Sequence, residues 1–362
     1  MLKVAVTLLL ASAVLSQIKI KPSESIPAPI SSDVVVSALA AFDQVEFVKK
    51  FMNATDRSPT WTAQVYTDFA PNSVAFLNSK LGLTVGEVNL SAADFTPLNV
   101  NSQIFLAMFK ICLFLPASLD LRVKYPSCTS IGLIRNQFNC GSCWAVSSMA
   151  SLSDRYCIFY SNANGPAQRF FSYQDTTECA TAAMGAAGCS GAQMHSGYQF
   201  AKNVGVSTGN ENANSFLCKP YSLPGSAPGA CQSTCTNTVN YVTPYSLDKF
   251  KIKSYGQISG LSLGSIVHNM MCAINRRGTI IAGFTVYQDF FTYSSGVYSH
   301  VSGAYAGRHA IRIIGWGVQA GTTPYWLCAN SWGTGWGQAG FFKIKKGSNE
   351  CSIENDVWEA TF

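Results

Sequence analysis

The stretch RNQFNCGSCWAVSSMASL, residues 135–152, places Cys140 and Cys143 three positions apart, with Trp144 directly after the second cysteine. A pair at this spacing allows three interpretations: half of a zinc site, a redox pair, or one structural cysteine beside one reactive cysteine. Residues 144–159 contain no Gly or Pro and carry apolar side chains near one stripe, which predicts a helix that begins near Cys143. Each interpretation requires different residues elsewhere in the chain, so those residues decide among the three.

The composition bounds the class of protein. The chain has 362 residues, of which 48% are hydrophobic and only 12% charged, with a net charge of +6. These values predict a globular protein large enough for one large core or two moderate ones. The basic residues are scattered and form no block of like charge, so we expect no nucleic-acid partner.

The N-terminus predicts entry into the secretory pathway. Lys3 precedes a mostly apolar run from Val4 to Leu15, and the chain then suits cleavage after Ser16. This run is too short to span a bilayer, so residues 1–16 are predicted to be a signal peptide, with no membrane span and a lysosome-like or extracellular destination. The chain has 13 cysteines, so in an oxidising lumen we expect disulfides and at least one free thiol.

Residues 17–114 differ in character from the C-terminal part of the chain. They contain one cysteine, Cys112, without an obvious partner, and two glycosylation sequons, at Asn53 and Asn89. Apolar residues in 37–52 recur at helical spacing, which predicts a short helical module. After Leu247 the runs TIIAGFTVY, HAIRIIGWGV, PYWLCANSW and GFFKIKKG are bounded by Gly or Pro. They predict strands, so a helical, disulfide-rich half precedes a β-rich half.

Two interpretations of the cysteine pair have little support. A zinc site needs two more soft ligands at matching spacing, and the other close pair is Cys231 and Cys235, flanked by Gln, Ser and Thr. We therefore expect no metal and no cofactor. A redox pair is expected after a strand in a βαβ unit, which this region lacks, and it remains the second choice.

The third interpretation makes Cys143 a nucleophile at the positive end of a helix. Such a thiolate needs an imidazole partner, whose tautomer and orientation are set by a third group. Of the four histidines, His309 opens a predicted strand, and Asn330 follows on the next one, close in sequence to Trp332 and Trp336. We therefore expect His309 and Asn330 to serve Cys143.

These residues carry a resemblance to a known family. QFNCGSCW, GCSGA, RHAIRIIGWG and YWLCANSWGTGWG, in this order, resemble the papain-like cysteine peptidases. LPASLDLR, KPYSLPG, VYQDFFTYSSGVYSHVSG and CSIEND resemble the cathepsin B branch. The resemblance implies a two-lobed α+β fold with a propeptide over residues 17–114 and a peptidase domain over 115–362. The helical lobe would cover about 115–245 and the β-rich lobe about 246–362, with the cleft between them.

The resemblance also implies roles for single residues. Cys143 would be the nucleophile, His309 its acid–base partner, Asn330 the group that orients the imidazole, and Gln137 an oxyanion donor together with the Cys143 N–H. Trp332 would shield the His309–Asn330 contact, and the substrate would lie along Gly191, Ala192 and Asp356. The implied disulfides are Cys128–Cys157, Cys140–Cys189, Cys179–Cys231 and Cys218–Cys235, which leave Cys112, Cys143, Cys272, Cys328 and Cys351 free.

Three departures from the family pattern affect the expected activity. Ala192 and Arg308 stand where the branch has glycine, and the Arg308 charge is expected to disfavour imidazolium formation or to narrow the primed side of the cleft. The run from Cys218 to Cys231 lacks the branch's occluding loop with its two adjacent histidines, which predicts an endopeptidase. Asp356, at the base of the S2 pocket, predicts that Arg is accepted at P2, the second residue before the scissile bond.

The expected partners are peptide or protein substrates, the chain's own propeptide as inhibitor, and inhibitors of the cystatin type. We expect a monomer. The alternative from another class is a catalytically impaired relative that binds peptides, for which Ala192 and Arg308 are the motivating residues.

Overall fold

The computed structural model describes residues 43–53, 60–66, 77, 79–84, 112, 114–161, 167–211, 216–222 and 229–362. The predicted signal peptide and the sequon at Asn89 lie outside these residues. Asn53, in the other sequon, is exposed at the end of the first helix.

The described elements alternate between short helices and strands before a β-rich C-terminal part. The helices are α1 (Gln44–Asn53), α2 (Leu121–Lys124), α3 (Cys143–Tyr160), α4 (Tyr173–Cys179), α5 (Ser196–Asn203) and α6 (Leu263–Arg277). The strands are β1 (Trp61–Ala63), β2 (Leu119–Asp120), β3 (Ser254–Gln257), β4 (Ile280–Tyr287), β5 (Tyr293–Tyr298), β6 (Tyr305–Gln319), β7 (Thr323–Ala329), β8 (Phe341–Lys345) and β9 (Asp356–Thr361).

The strands form one sheet in the order β1-β5-β8-β7-β6-β4-β9-β3, with β2 paired to β6. All pairs are antiparallel except β5 with β8. The central strands β4 and β6 are buried along most of their length, which explains why apolar residues predominate in them. All four strands predicted from residues 279–347 are therefore present.

Two separate apolar cores support the predicted two-lobed α+β fold. One core joins the sheet to α6 and contains the aromatic cluster of Phe290, Trp332, Trp336 and Phe342. The other surrounds α3, whose residues are buried at 14 of 18 positions, and includes α5. The expected helix at Cys143 is present because the segment has no helix breaker, and nearly every side of it is buried against the rest of the protein.

The short strand β2 lies at the start of the range predicted for the helical lobe. Leu119 and Asp120, in β2, pair with Trp316 and Gly315 in β6. The first residues of the range predicted for the helical lobe therefore pair with the sheet, and the chain enters α3 only after them.

A buried ion pair joins α3 to the sheet. Arg312 Nη1 on β6 lies 2.5 Å from Asp154 Oδ2 on α3, and both side chains are almost completely buried. Arg312 also donates to the carbonyl oxygens of residues 130, 131 and 133. Loss of either member would leave an unpaired buried charge, which costs about 3–5 kcal/mol.

Residues 60–66 are anchored on the edge of the sheet. β1 pairs with β5, and the Trp61 ring packs against Phe51, Tyr293 and Tyr298. Its indole N–H donates to Ser299 O at 3.0 Å. Residues 60–66, which precede residues 79–84 in the chain, are thus attached to the β-rich core.

The cysteines differ from expectation at one pair. The four expected bonds are present: Cys128–Cys157, Cys140–Cys189, Cys179–Cys231 and Cys218–Cys235. Cys112 and Cys272, which we expected to be free, are joined in a fifth bond. They are 160 residues apart in sequence, so the pairing depends on how α6 is placed against the earlier segment. Cys143, Cys328 and Cys351 are free.

Candidate active site

Cys143 is the first residue of α3 and is completely buried. Cys140 is bonded to Cys189, so the two sulfurs of the opening motif do not pair with each other. This arrangement rules out the redox-pair interpretation for Cys140 and Cys143 in this structure. The helix terminus directs positive potential and unpaired N–H groups toward the free sulfur.

His309 lies on β6 beside that sulfur. The next backbone N–H along the strand, that of Ala310, donates to Cys143 Sγ at 3.4 Å. His309 Nε2 lies 2.8 Å from Asn330 Oδ1 at the end of β7, and His309 Nδ1 is buried without a hydrogen-bond partner among the described residues. Because Asn330 Oδ1 only accepts, the contact assigns the proton to Nε2 and leaves the Nδ1 lone pair available as a base.

Asn330 and the imidazole are held in place by their neighbours. Asn330 Oδ1 also accepts from the Ser331 N–H at 2.8 Å. The Trp332 ring lies over the imidazole with centroids 5.0 Å apart, and it stacks on Phe291 at 5.4 Å. Trp332 thus covers the His309–Asn330 hydrogen bond and excludes water from it. The hydrogen bond is stronger in this buried environment than it would be in water.

Gln137 brings an amide donor to the same place. Its Oε1 accepts from the Ser331 hydroxyl at 2.6 Å, which orients the amide so that Nε2 faces Cys140 O at 3.0 Å and Ser79 O at 3.1 Å. Because Ser331 also contacts Asn330, one short segment orients both amides.

Residues 79–84 lie directly across this site. The Trp332 indole N–H donates to Lys80 O at 3.2 Å. The Gly82 backbone lies close enough to the Cys143 sulfur that its N–H acts to lower the pKa of the thiol. The chain then pairs with Ala192: the Ala192 N–H donates to Gly82 O at 3.0 Å, and the Thr84 N–H donates to Ala192 O at 2.8 Å. The segment from 79 to 84 therefore occupies the groove on both sides of Cys143.

The close contact between the segment and the groove requires glycine at two positions, Gly82 on the segment and Gly191 on the groove. A Cβ on Gly82 would lie 2.0 Å from Gly141 O, and a Cβ on Gly191 would lie 2.9 Å from Gly82 O. Gly191 also has φ of +105°, which favours glycine. The two glycines thus allow close backbone contact between the segment and the groove.

The methyl group of Ala192 does not prevent that contact. Ala192 is fully buried and makes both backbone hydrogen bonds to the segment. The exchange of the family's glycine for Ala192 therefore leaves the extended pairing possible.

With the segment in place, the thiol and the imidazole are both neutral. Burial raises the pKa of Cys143 to about 12, although several backbone N–H groups around the sulfur act to lower it. Burial lowers the pKa of His309 to about 4, against the opposing effect of its bond to Asn330, and nearby Lys80 lowers it further. Desolvation therefore outweighs the helix terminus and disfavours the expected thiolate–imidazolium pair while the segment covers the site.

Asp356 on β9 and Arg308 on β6 form an ion pair on the sheet side of the groove. Arg308 Nη2 lies 3.2 Å from Asp356 Oδ2. The register explains the contact: Arg308 is opposite Thr285, and Asp356 is opposite Gly283, two residues away on the same face of β4. The sequence indicates both residues but not their pairing, because the pairing depends on two strand registers at once.

Among the described residues, no group of three or more His, Cys, Asp and Glu side chains is placed to hold a metal ion. No helix among them is long and apolar enough to cross a membrane. The groups that the structure brings together at the site are a sulfur, an imidazole and two oriented amides.

Comparison with known proteins agrees with this geometry. Residues 115–361 match the model of the papain family cysteine proteases. The chain belongs to this family. A gut-specific cysteine proteinase of Caenorhabditis elegans is 39% identical over 303 residues, covering 82% of this chain and 90% of the relative. Cathepsin B-like cysteine proteinase 4 of the same organism is 39% identical over 254 residues, covering 67% of this chain and 74% of the relative.

The chain is also similar to solved structures of peptidase proforms. The procathepsin B S9 structure from Trypanosoma congolense has a TM-score of 0.69 and 27% identity, covering 90% of this chain and 99% of that chain. Digestive procathepsin L 3 from Tenebrio molitor, at 18% identity, matches the fold alone, with a TM-score of 0.61, 97% of this chain and 99% of that chain. The protein is thus a cathepsin B-like cysteine peptidase with the fold of a proform.

Proposed function

We propose that this peptidase is the zymogen of an endopeptidase, in which Cys143 is the nucleophile and residues 17–114 are an inhibitory prosegment. The observation that carries the proposal is the convergence of Cys143, His309, Asn330 and Gln137 in a groove that residues 79–84 fill. A protein that only binds peptides has no need of all four groups. The intact set therefore favours catalysis over the impaired-relative alternative.

Removal of the prosegment starts the chemistry. Water enters the groove, the desolvation cost falls, and the proton of the Cys143 thiol moves to His309 Nδ1, giving a thiolate and an imidazolium. The thiolate attacks the scissile carbonyl carbon, and a C–S bond forms while the carbonyl π electrons move to the oxygen. Gln137 Nε2 and the Cys143 N–H stabilise that oxyanion.

The reaction then proceeds through an acyl-enzyme. His309 gives its proton to the leaving amine as the C–N bond breaks, which leaves a thioester on Cys143. A water molecule gives a proton to His309 and attacks the thioester carbonyl. The C–S bond breaks, the carboxylic product leaves, and the thiolate–imidazolium pair is restored. Asn330 holds the imidazole in one tautomer and plane throughout.

Gln137→Ala is expected to lower kcat of the processed enzyme by about 10²–10³-fold with a smaller change in KM, because an oxyanion donor acts mainly in the transition state. Steady-state hydrolysis of a fluorogenic peptide measures this. Gln319→Ala, on the far end of β6, is the matched control and should leave kcat unchanged. Equal kcat values for the wild type and Gln137→Ala would contradict the assigned role.

The shortened sequence between Cys218 and Cys231 supports endopeptidase action. Without the occluding loop, the groove should accept chain on both sides of Cys143. A peptide of about twelve residues, blocked at both termini and followed by mass spectrometry, is the test of the proposed function. We expect internal cuts by the wild type and none by Cys143→Ala. Stepwise loss of C-terminal dipeptides from a peptide with a free C-terminus would argue for exopeptidase action instead.

The Cys112–Cys272 bond crosses the expected processing boundary near Leu115. Cleavage there should leave the fragment that ends near Leu115 attached to α6 until the bond is reduced. We expect the fragment to run with the catalytic domain on non-reducing gels and to separate on reducing gels. Cys112→Ser should release it without reductant, whereas Cys351→Ser should not. Release of the wild-type fragment without reductant would contradict this prediction.

The predicted signal peptide, the sequons at Asn53 and Asn89, and the five disulfides together support a secretory route to a lysosome-like or extracellular compartment. Peptide or protein substrates, inhibition by the prosegment and by cystatin-type proteins, and a monomeric state are parts of the same proposal.

A further inference from the structure

A pocket next to Ala192 holds the side chain of Leu83, one residue beyond the glycine that covers the sulfur. Leu83 is 7% exposed and forms a bridge with Ala192. Because Gly82 lies at Cys143 and Leu83 is its neighbour on the Ala192 side, this pocket is the second side-chain site from the reactive sulfur. Under the proposed function, on which this inference rests, it would receive the P2 side chain of a substrate.

Three groups meet at the floor of the pocket, where Gly283 has no side chain. A Cβ built on Gly283 would lie 2.5 Å from Leu83 Cδ2, 3.0 Å from Asp356 Oδ2 and 3.3 Å from Arg308 Nη2. The apolar side chain of the prosegment thus touches the same point as the ion pair, and the absence of a side chain at Gly283 makes room for all three.

Both oxygens of the Asp356 carboxylate already interact with side chains of the protein itself. Its Oδ2 faces Arg308 Nη2 at 3.2 Å, and its Oδ1 accepts from the Trp358 indole N–H at 2.8 Å. The Arg308 and Asp356 side chains are 12% and 23% exposed. Each carboxylate oxygen therefore has a donor from the protein, and the negative charge of Asp356 on β9 is balanced by the cation of Arg308 on β6, across β4.

We propose that Arg308 determines specificity at this pocket: by pairing with Asp356, it makes the pocket accept branched apolar P2 side chains such as Leu and reject Arg. A P2 guanidinium would have to displace Arg308 from Asp356 and would be repelled by it, and one of the two cations would then lack a partner in a partly buried site. A P2 leucine leaves the ion pair intact and fits where Leu83 lies. This replaces the expectation, drawn from Asp356 alone, that Arg is accepted.

The test compares two blocked dipeptide fluorogenic substrates that share Arg at P1 and carry Leu or Arg at P2. For the processed wild type we expect kcat/KM to be at least about 100-fold higher with Leu. Arg308→Gly and Arg308→Gln should each lower this ratio at least about tenfold, because Asp356 becomes available to the substrate. The double variant Arg308→Gly/Asp356→Ala should recover part of the preference for Leu.

A control variant removes the same charge elsewhere. Lys345→Ala, on the exposed side of β8, should leave the ratio unchanged, which excludes an effect of net charge alone. If the wild type cleaves both substrates equally, or if neither Arg308 variant changes the ratio, the role of Arg308 is overturned while the peptidase function stands.

Binding to the processed Cys143→Ala variant provides a readout that does not depend on turnover. Blocked peptides with Leu or Arg at P2, measured by fluorescence polarisation, should show tighter binding of the Leu peptide, and the added Arg308→Gly substitution should reduce the difference. Absence of hydrolysis by the wild type would overturn the proposed peptidase function. In that case the binding ratio would still support or overturn the role of Arg308.

Discussion

Cys143→Ala in the processed enzyme should reduce peptide hydrolysis by about 10⁴-fold or more, because no other group at the site can form the acyl-enzyme. The oxyanion donors and the groove remain, but they stabilise a transition state that now lacks its nucleophile. Burial raises the pKa of Cys328 and Cys351 well above the usual range of a thiol, so neither can replace it. Initial rates with a fluorogenic peptide, over a wide range of enzyme concentration, measure the loss.

The reactive residue can be identified on the same protein. An epoxide that alkylates activated thiols should modify the peptide that contains Cys143, as seen by mass spectrometry. Cys351→Ala is the matched control, since it also removes a free cysteine and should keep both labelling and activity. More than about 1% of wild-type activity in Cys143→Ala, with circular dichroism like that of the wild type, would refute the nucleophile assignment.

The second large effect is the difference in thiol reactivity between the proform and the processed enzyme. In the proform the pKa of Cys143 is about 12 and that of His309 about 4, so from pH 5 to 8 the thiol is protonated and the imidazole neutral. Only a very small fraction of such a thiol is ionised at neutral pH. We therefore expect iodoacetamide to alkylate the proform at least about 100-fold more slowly than the processed enzyme at pH 6.

The pH dependence has a definite direction in each state. In the proform each added pH unit raises the thiolate fraction about tenfold, so the alkylation rate should rise steadily from pH 5 to 8. After the prosegment is removed, solvation lowers the thiol pKa and raises the imidazole pKa. The ion pair then persists across this range, and the rate should reach a plateau.

Gly82→Val tests whether the prosegment causes the difference. Because a Cβ at residue 82 would collide with Gly141 O, this proform should lose the contact over the sulfur, and its alkylation rate should move toward that of the processed enzyme. Lys50→Ala, on the exposed part of α1, is the control and should behave as the wild-type proform. Equal rates for the proform and the processed enzyme would disprove the covering role of residues 79–84.

Much of this protein follows from local patterns in its sequence. The motif around Cys143 and the absence of helix breakers after it predict α3, and the apolar runs after Leu247 predict β4, β6, β7 and β8. These predictions hold because a helix start and a buried strand depend on neighbours in the sequence. The motifs that contain Gln137, Cys143, His309 and Asn330 were likewise enough to name the four side chains that the structure brings together.

Other features depend on distances that the sequence does not contain. The Cys112–Cys272 bond joins positions 160 residues apart, and the Arg308–Asp356 pair requires the registers of three adjacent strands at once. The neutral state of Cys143 and His309 also belongs to the tertiary structure, because desolvation depends on the groups that cover a side chain. Sequence alone determined which groups can react; only the folded chain decided how they are paired, charged and covered.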